Sequence, residues 1–136
     1  MSRKHSLGLA GILLLFAAGQ APAHHAFSAE FDATKPITLR ATLTKVEWVN
    51  PHAWLHITVK DDAGAVTSWM GELGAPNALL RSGWTRDSLQ VGMQLVLEGF
   101  LAKDGTRKMT AMNVLLPNGS KLFSGSRGIG APGEPK

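Results

Sequence analysis

Alternation of apolar and polar residues organises this chain from residue 36 onward. Ile37, Leu39, Ala41 and Leu43 fall on one face of an extended segment, with Thr38, Arg40, Thr42 and Thr44 on the other. That period of two predicts a half-buried strand over residues 36–49. The phase slips near Thr44-Lys45, after which Val46 and Trp48 carry the apolar side. One extra residue there, as in a β-bulge, produces such a slip and bends the strand. Asn50-Pro51 ends it, because proline cannot donate to a ladder. His52 to Lys60 alternates again, with Ala53, Leu55, Ile57 and Val59 inward and His52, Trp54, His56, Thr58 and Lys60 outward. Asp61 to Gly64 is a turn. A third strand follows over Ala65–Leu73, with Val66, Trp69 and Met70, and its facing is ambiguous.

Pro76 to Gly83 breaks the pattern. Proline suits the first helical turn and glycine the stop, which predicts a helix of about two turns. Thr85 to Leu89 makes a further turn. Met93–Ala102 is a fourth strand, with Leu95, Leu97 and Gly99 on one face and Val96 and Phe100 on the other. Lys103-Asp104-Gly105-Thr106 is a hairpin signal, Arg107–Leu116 a fifth strand, and Lys121–Phe123 a short sixth. Before all of these, residues 24–35 keep no period. Phe27 and Phe31, four apart, form one helical turn or pin a loop to the body. The order β-β-β-α-β-β predicts a mainly β fold: a small five-stranded OB-like Greek-key barrel with one short helix between strands three and four. An open meander is the alternative, and the bent first strand favours closure.

The first 23 residues read differently. Arg3 and Lys4 precede an apolar run from Leu7 to Ala18, and Ala21-Pro22-Ala23 is a small-x-small cleavage pattern. The run is short of the ~20 residues a bilayer span needs. The expectation is a cleaved signal peptide over 1–23, a domain over 24–123, a disordered Gly/Ser/Pro-rich tail over 124–136, and a periplasmic product without a membrane span. Cleavage after Ala23 makes His24 the first residue; cleavage after Gly19 is the alternative.

Charge and composition narrow the chemistry. The 136 residues carry 14 Lys and Arg against 10 Asp and Glu. Two of the basic residues, Arg3 and Lys4, belong to the leader, which leaves 12 against 10. They are scattered, so no nucleic-acid surface is expected. There is no cysteine, which excludes disulfides, thiolate zinc sites and a Cys nucleophile. No Ser-His-Asp order, phosphate loop or HExxH is present. Asp61-Asp62 belong to a turn, and nothing in the sequence brings Glu47 and Glu72 together. No enzyme is expected.

A resemblance supports the outline. His24-His25-Ala26-Phe27 with Glu30-Phe31-Asp32, Lys45-Val46-Glu47-Trp48 before Asn50-Pro51-His52, Pro76-Asn77-Ala78-Leu79, Gly83-Trp84-Thr85-Arg86-Asp87 and Ala102-Lys103-Asp104-Gly105 resemble a family of small exported proteobacterial proteins, a domain of unknown function. The resemblance spans nearly all of residues 24–123. It implies export and an OB-like barrel, and it brings no catalytic residue.

Histidine is the one residue type with a suggestive arrangement. His5 lies in the leader; His24, His25, His52 and His56 are the candidate metal ligands. A free N-terminal histidine offers its amine and Nδ1 to one ion, and a second imidazole completes a brace suited to copper. His25 is the alternative partner, through the intervening amide. His52 and His56 share a face, but four strand residues span about 13 Å, too far for one ion on a regular strand. Either His52 belongs to the turn or only one of the two takes part. Without metal, His52 caps the turn and His56 is solvated. Of the tryptophans, Trp48, Trp69 and Trp84 fit the core and Trp54 the outer face. Two readings stand: a small binding protein holding copper or another transition metal, and a metal-free module that docks on another envelope protein.

Overall fold

A computed structural model describes residues 27–125. The leader, His24, His25 and the chain beyond Gly125 lie outside the described residues, and so do the expectations placed on them. A single helical turn, α1 (Phe27–Glu30), leads into the long strand β1 (Phe31–Glu47). Then come β2 (Trp54–Lys60), β3 (Val66–Glu72), helix α2 (Pro76–Arg81), β4 (Gln94–Ala102), β5 (Lys108–Leu115) and β6 (Lys121–Phe123). The fold is mainly β, with the helix between the third and fourth strands as the turn residues predict. Ala75 is extended ahead of Pro76, and Gly83, with φ 93°, turns the chain out of the helix.

β1 is central. Its second half pairs with β2 and its first half with β4, both antiparallel. β3 pairs with β2, and β5 with β4 and β6. A parallel β3–β5 pairing, Met70 to Glu72 against Lys108 to Thr110, closes the sheet into a ring. The bend that permits this is where the apolar phase slips. The β1–β2 register shifts between Leu43 and Lys45, leaving Thr44 as the extra residue. Leu43 and Val46 therefore both face inward, opposite Ile57 and Leu55.

The core fills the ring. Leu43, Leu55, Leu97, Met109, Ala111 and Val114 are fully buried. Trp84 caps one end, its Nε1 donating to the Phe123 carbonyl at 2.8 Å; Trp48 meets it edge-on at 6.4 Å. β4 and β5 approach closely at Gly99, where a Cβ would stand 1.8 Å from the Thr110 carbonyl oxygen. The register shift beside Glu98 and Gly99 belongs to this contact.

A second, smaller cluster lies on the outside. Phe27, Phe31 and Ala102 are buried against Phe100, with Phe27 edge-on to Phe100 at 5.5 Å. Of the two readings for the start of the domain, α1 is thus the helical turn, and its rings bind it to the sheet. At the other end Ser124, the first residue of the expected tail, is fully buried. Its Oγ donates to the Ala111 carbonyl at 2.7 Å, and its own carbonyl accepts from Gly74 N–H at 2.8 Å.

Candidate functional site

Strand register assembles the site on the outer face of β1, β2, β3 and β5. Residues directly opposed in a ladder point to the same side. One row runs Glu47, Trp54, Glu72, Thr110 across the four strands. The next runs Lys45, His56, Met70, Lys108. Eight neighbouring positions thus gather three cations or imidazoles, two carboxylates, a thioether and an indole. The inner face opposite them is aliphatic.

His52 stands just before the row. β2 begins at Trp54, so His52 belongs to the turn and not to the ladder. Ala53 anchors the turn, donating to the Gly74 carbonyl and accepting from Leu73 N–H, at 3.1 and 2.9 Å. The His52 imidazole pairs through Nδ1 with Glu72 Oε1. Both side chains are largely buried, at 13% and 7% exposure. The hydrogen bond to Glu72 raises the His52 pKa above its ordinary value, against the opposing effect of burial; the charges of Glu72 and Glu30 add to the rise.

Glu30, at the end of α1, pairs with Lys108. Lys108 stands 5.9 Å from the centroid of the Phe31 ring, and Glu30 raises its pKa. Lys103 also donates to the Ser28 carbonyl at 2.5 Å. α1 is therefore strapped over the face beside His52 and Glu72 by two lysines and its phenylalanines.

His56 is the second imidazole. Its Nε2 lies 3.4 Å from Glu47 Oε2, within ion-pair range but without the alignment of a hydrogen bond. The atom is buried and has no hydrogen-bond partner among the described residues. Glu47 is bound instead by Lys45, which is the main cause of its lowered pKa, with His56 second. His56 also lines a cleft of about 420 Å³ with Thr44, Ile57, Ser68, Trp69, Met70 and Arg107.

The two described histidines are thus not brought onto one ion. They engage different carboxylates, on β3 and β1, on either side of Trp54. Among the described residues no group of three or more His, Asp or Glu side chains is arranged to hold a metal. Glu47 and Glu72, two strand spacings or about 9.6 Å apart in the sheet direction, each have an imidazole of their own. Met70 is the residue that sequence reasoning passed over. With Trp69 and Met70 both apolar, only the pairing of Trp69 with Ile57 shows that Met70 faces out.

The fold and this face define a small mainly β protein whose closed sheet presents two histidine–carboxylate pairs around a tryptophan. The chain belongs to a family of unknown function, DUF6152, whose pattern matches residues 12–111. No curated protein and no solved structure matches it. Among the described residues no helix is long and apolar enough to cross a membrane.

Proposed function

We propose that this chain is an exported OB-like β-barrel protein of the periplasm that binds a transition-metal ion, copper first among them, and that it catalyses no reaction itself. The leader pattern over residues 1–23 supports export. The ring order β1-β2-β3-β5-β4, with its parallel β3–β5 pair and α2 between the third and fourth strands, supports the OB-like reading. The ligands proposed are the amine and imidazole of His24 with His52, His25 being the alternative partner through the intervening amide. His56 stands apart from this site.

The observation that carries the metal reading is the His52–Glu72 pair. A carboxylate that accepts from one imidazole nitrogen orients the ring and makes the other nitrogen a better donor, the arrangement common behind metal-bound histidines. Here Nδ1 is engaged by Glu72, which leaves Nε2 as the ring nitrogen for an ion. α1 brings the start of the domain to the same side, since the charge of Glu30 acts on His52. His24 lies three residue steps before Phe27, a reach of about 10–11 Å.

The test is intact mass and Cu(II) titration on naturally processed protein. The reading expects a chain beginning at His24, one Cu(II) bound, and a loss of at least about 100-fold in affinity in both His24→Ala and His52→Ala. One extra residue before His24 blocks the amine and weakens binding similarly. Equal affinity with that extra residue overturns the brace. Weak, non-stoichiometric binding leaves the envelope interaction module as the better reading.

A further inference from the structure

On the outer face one buried nitrogen, His56 Nε2, has an ion-pair neighbour, Glu47, but no hydrogen-bond partner among the described residues. A buried polar atom left unsatisfied is costly, and a ligand is one physical reason for such an atom to persist. Across the β2–β3 ladder Met70 is directly opposed to His56, a relation that holds Cβ atoms about 4.5–5.5 Å apart. Both side chains line the same cleft, with the Thr44 and Ser68 positions beside them and Trp69 below.

An imidazole with a thioether is a donor set for a soft ion, since thioether sulfur selects Cu(I) over harder cations. Met70 also stands apart from the other methionines among the described residues. The chain has no cysteine. Met109 is fully buried in the core, the Met93 sulfur accepts from Gln90 N–H at 3.4 Å, and Met112 packs where a Cβ on Gly125 would stand.

The surrounding charge favours a single positive charge over two. Lys45, opposed to His56, is paired with Glu47, and Lys108, opposed to Met70, is paired with Glu30. Arg107 is the remaining cation on the cleft. Glu47 Oε2, at 3.4 Å from Nε2, is the nearest counter-charge. A neutral N,S pair beside one carboxylate and one arginine accommodates a monovalent ion with less repulsion than a divalent one.

We propose that His56 Nε2 and Met70 Sδ bind a soft monovalent metal ion, of the Cu(I) class, in this cleft. The site is separate from the N-terminal one and stands whether or not that one exists.

Ag(I), a redox-inert ion of this class, is the probe. Processed full-length protein is titrated with Ag(I) and followed by NMR of the methionine methyls and histidine rings. The expected result is one site at which the Met70 methyl and the His56 ring shift together. Met70→Leu and His56→Gln should each lower its affinity at least tenfold. Met70→Leu is close to volume-conserving, and an unchanged melting curve shows that the fold is kept. Cu(II) binding should be unaffected by Met70→Leu, and Ag(I) binding unaffected by His24→Ala, so the two sites fail separately. Ag(I) affinity unchanged in Met70→Leu, or shifts confined to Met93 or Met112, overturns the proposal.

Discussion

Replacing His52 by alanine should cost more than any single polar contact on the outer face. The pair it forms with Glu72 is at 13% and 7% exposure. Removing one partner strands the other: the carboxylate keeps its burial and loses its hydrogen-bonded cation. Lys108 does not take over, because Glu30 holds it. Breaking a fully buried pair costs about 3–5 kcal/mol, and the remaining solvent access of His52 lowers this to about 2–3 kcal/mol. For a domain near 100 residues that corresponds to a Tm lower by roughly 10–20 °C. Glu72→Gln is milder. The amide keeps the shape and still accepts from Nδ1–H, so a charge-assisted bond becomes a neutral one at about 1 kcal/mol.

The pH dependence gives the sharper readout. Because His52 has a raised pKa in the fold, the advantage of the wild-type over Glu72→Gln is fully present below the unfolded value of about 6.5. It is lost as pH rises through the raised folded value. The Tm difference in metal-free protein should therefore be widest below about pH 6.5 and should narrow as pH rises through the raised folded value of His52. His52→Leu with Glu72→Leu should lie within about 1 kcal/mol of wild type, far from the sum of the single losses. A His52→Ala variant within about 0.5 kcal/mol of wild type, or a Glu72→Gln gap that does not change with pH, refutes the reasoning.

Three further outcomes follow from the packing. Gly99→Ala places a Cβ 1.8 Å from the Thr110 carbonyl oxygen, so β4 and β5 must part; a loss of about 3 kcal/mol or more is expected in urea unfolding. Trp84→Phe gives up the 2.8 Å bond to the Phe123 carbonyl and leaves a gap at the end of the core, costing about 2–3 kcal/mol by the same assay. Lys108→Met releases Glu30 at a global cost of about 0.5–1 kcal/mol, yet amide exchange over residues 27–31 should quicken at least about tenfold, because α1 opens locally.

The fold was legible where side-chain period and turn chemistry speak for themselves. The phase slip at Thr44-Lys45 is the bulge in β1, and Pro76 with Gly83 brackets α2. The site was legible only in its residue types. Whether His52 belongs to the strand or the turn depends on the path through Asn50 and Pro51, which no periodicity encodes. Glu72 became its partner through the β2–β3 register and the Ala53–Gly74 bond, both long-range facts. Met70 was hidden by Trp69: two adjacent apolar residues leave the facing of a strand undetermined until a neighbour with one sure face, here Ile57, pairs with it. Ser124 looked like tail by composition because it is held by long-range bonds, its hydroxyl to the Ala111 carbonyl and its backbone to Gly74 and Met112, which composition cannot register.

The parallel β3–β5 contact is only three residue pairs long, and parallel pairing is slightly the weaker kind. It joins segments separated by α2 and all of β4, so it is a natural last joint to zip during folding and first to breathe afterwards. Met70 and Glu72 are the two ends of this joint on β3. The two proposed outer-face sites thus share a hinge line, and an ion bound at either one should hold this joint closed. Ion occupancy would then be readable at a distance from the ion, as slowed exchange at Met70 N–H, whose bond to the Arg107 carbonyl is 3.0 Å long.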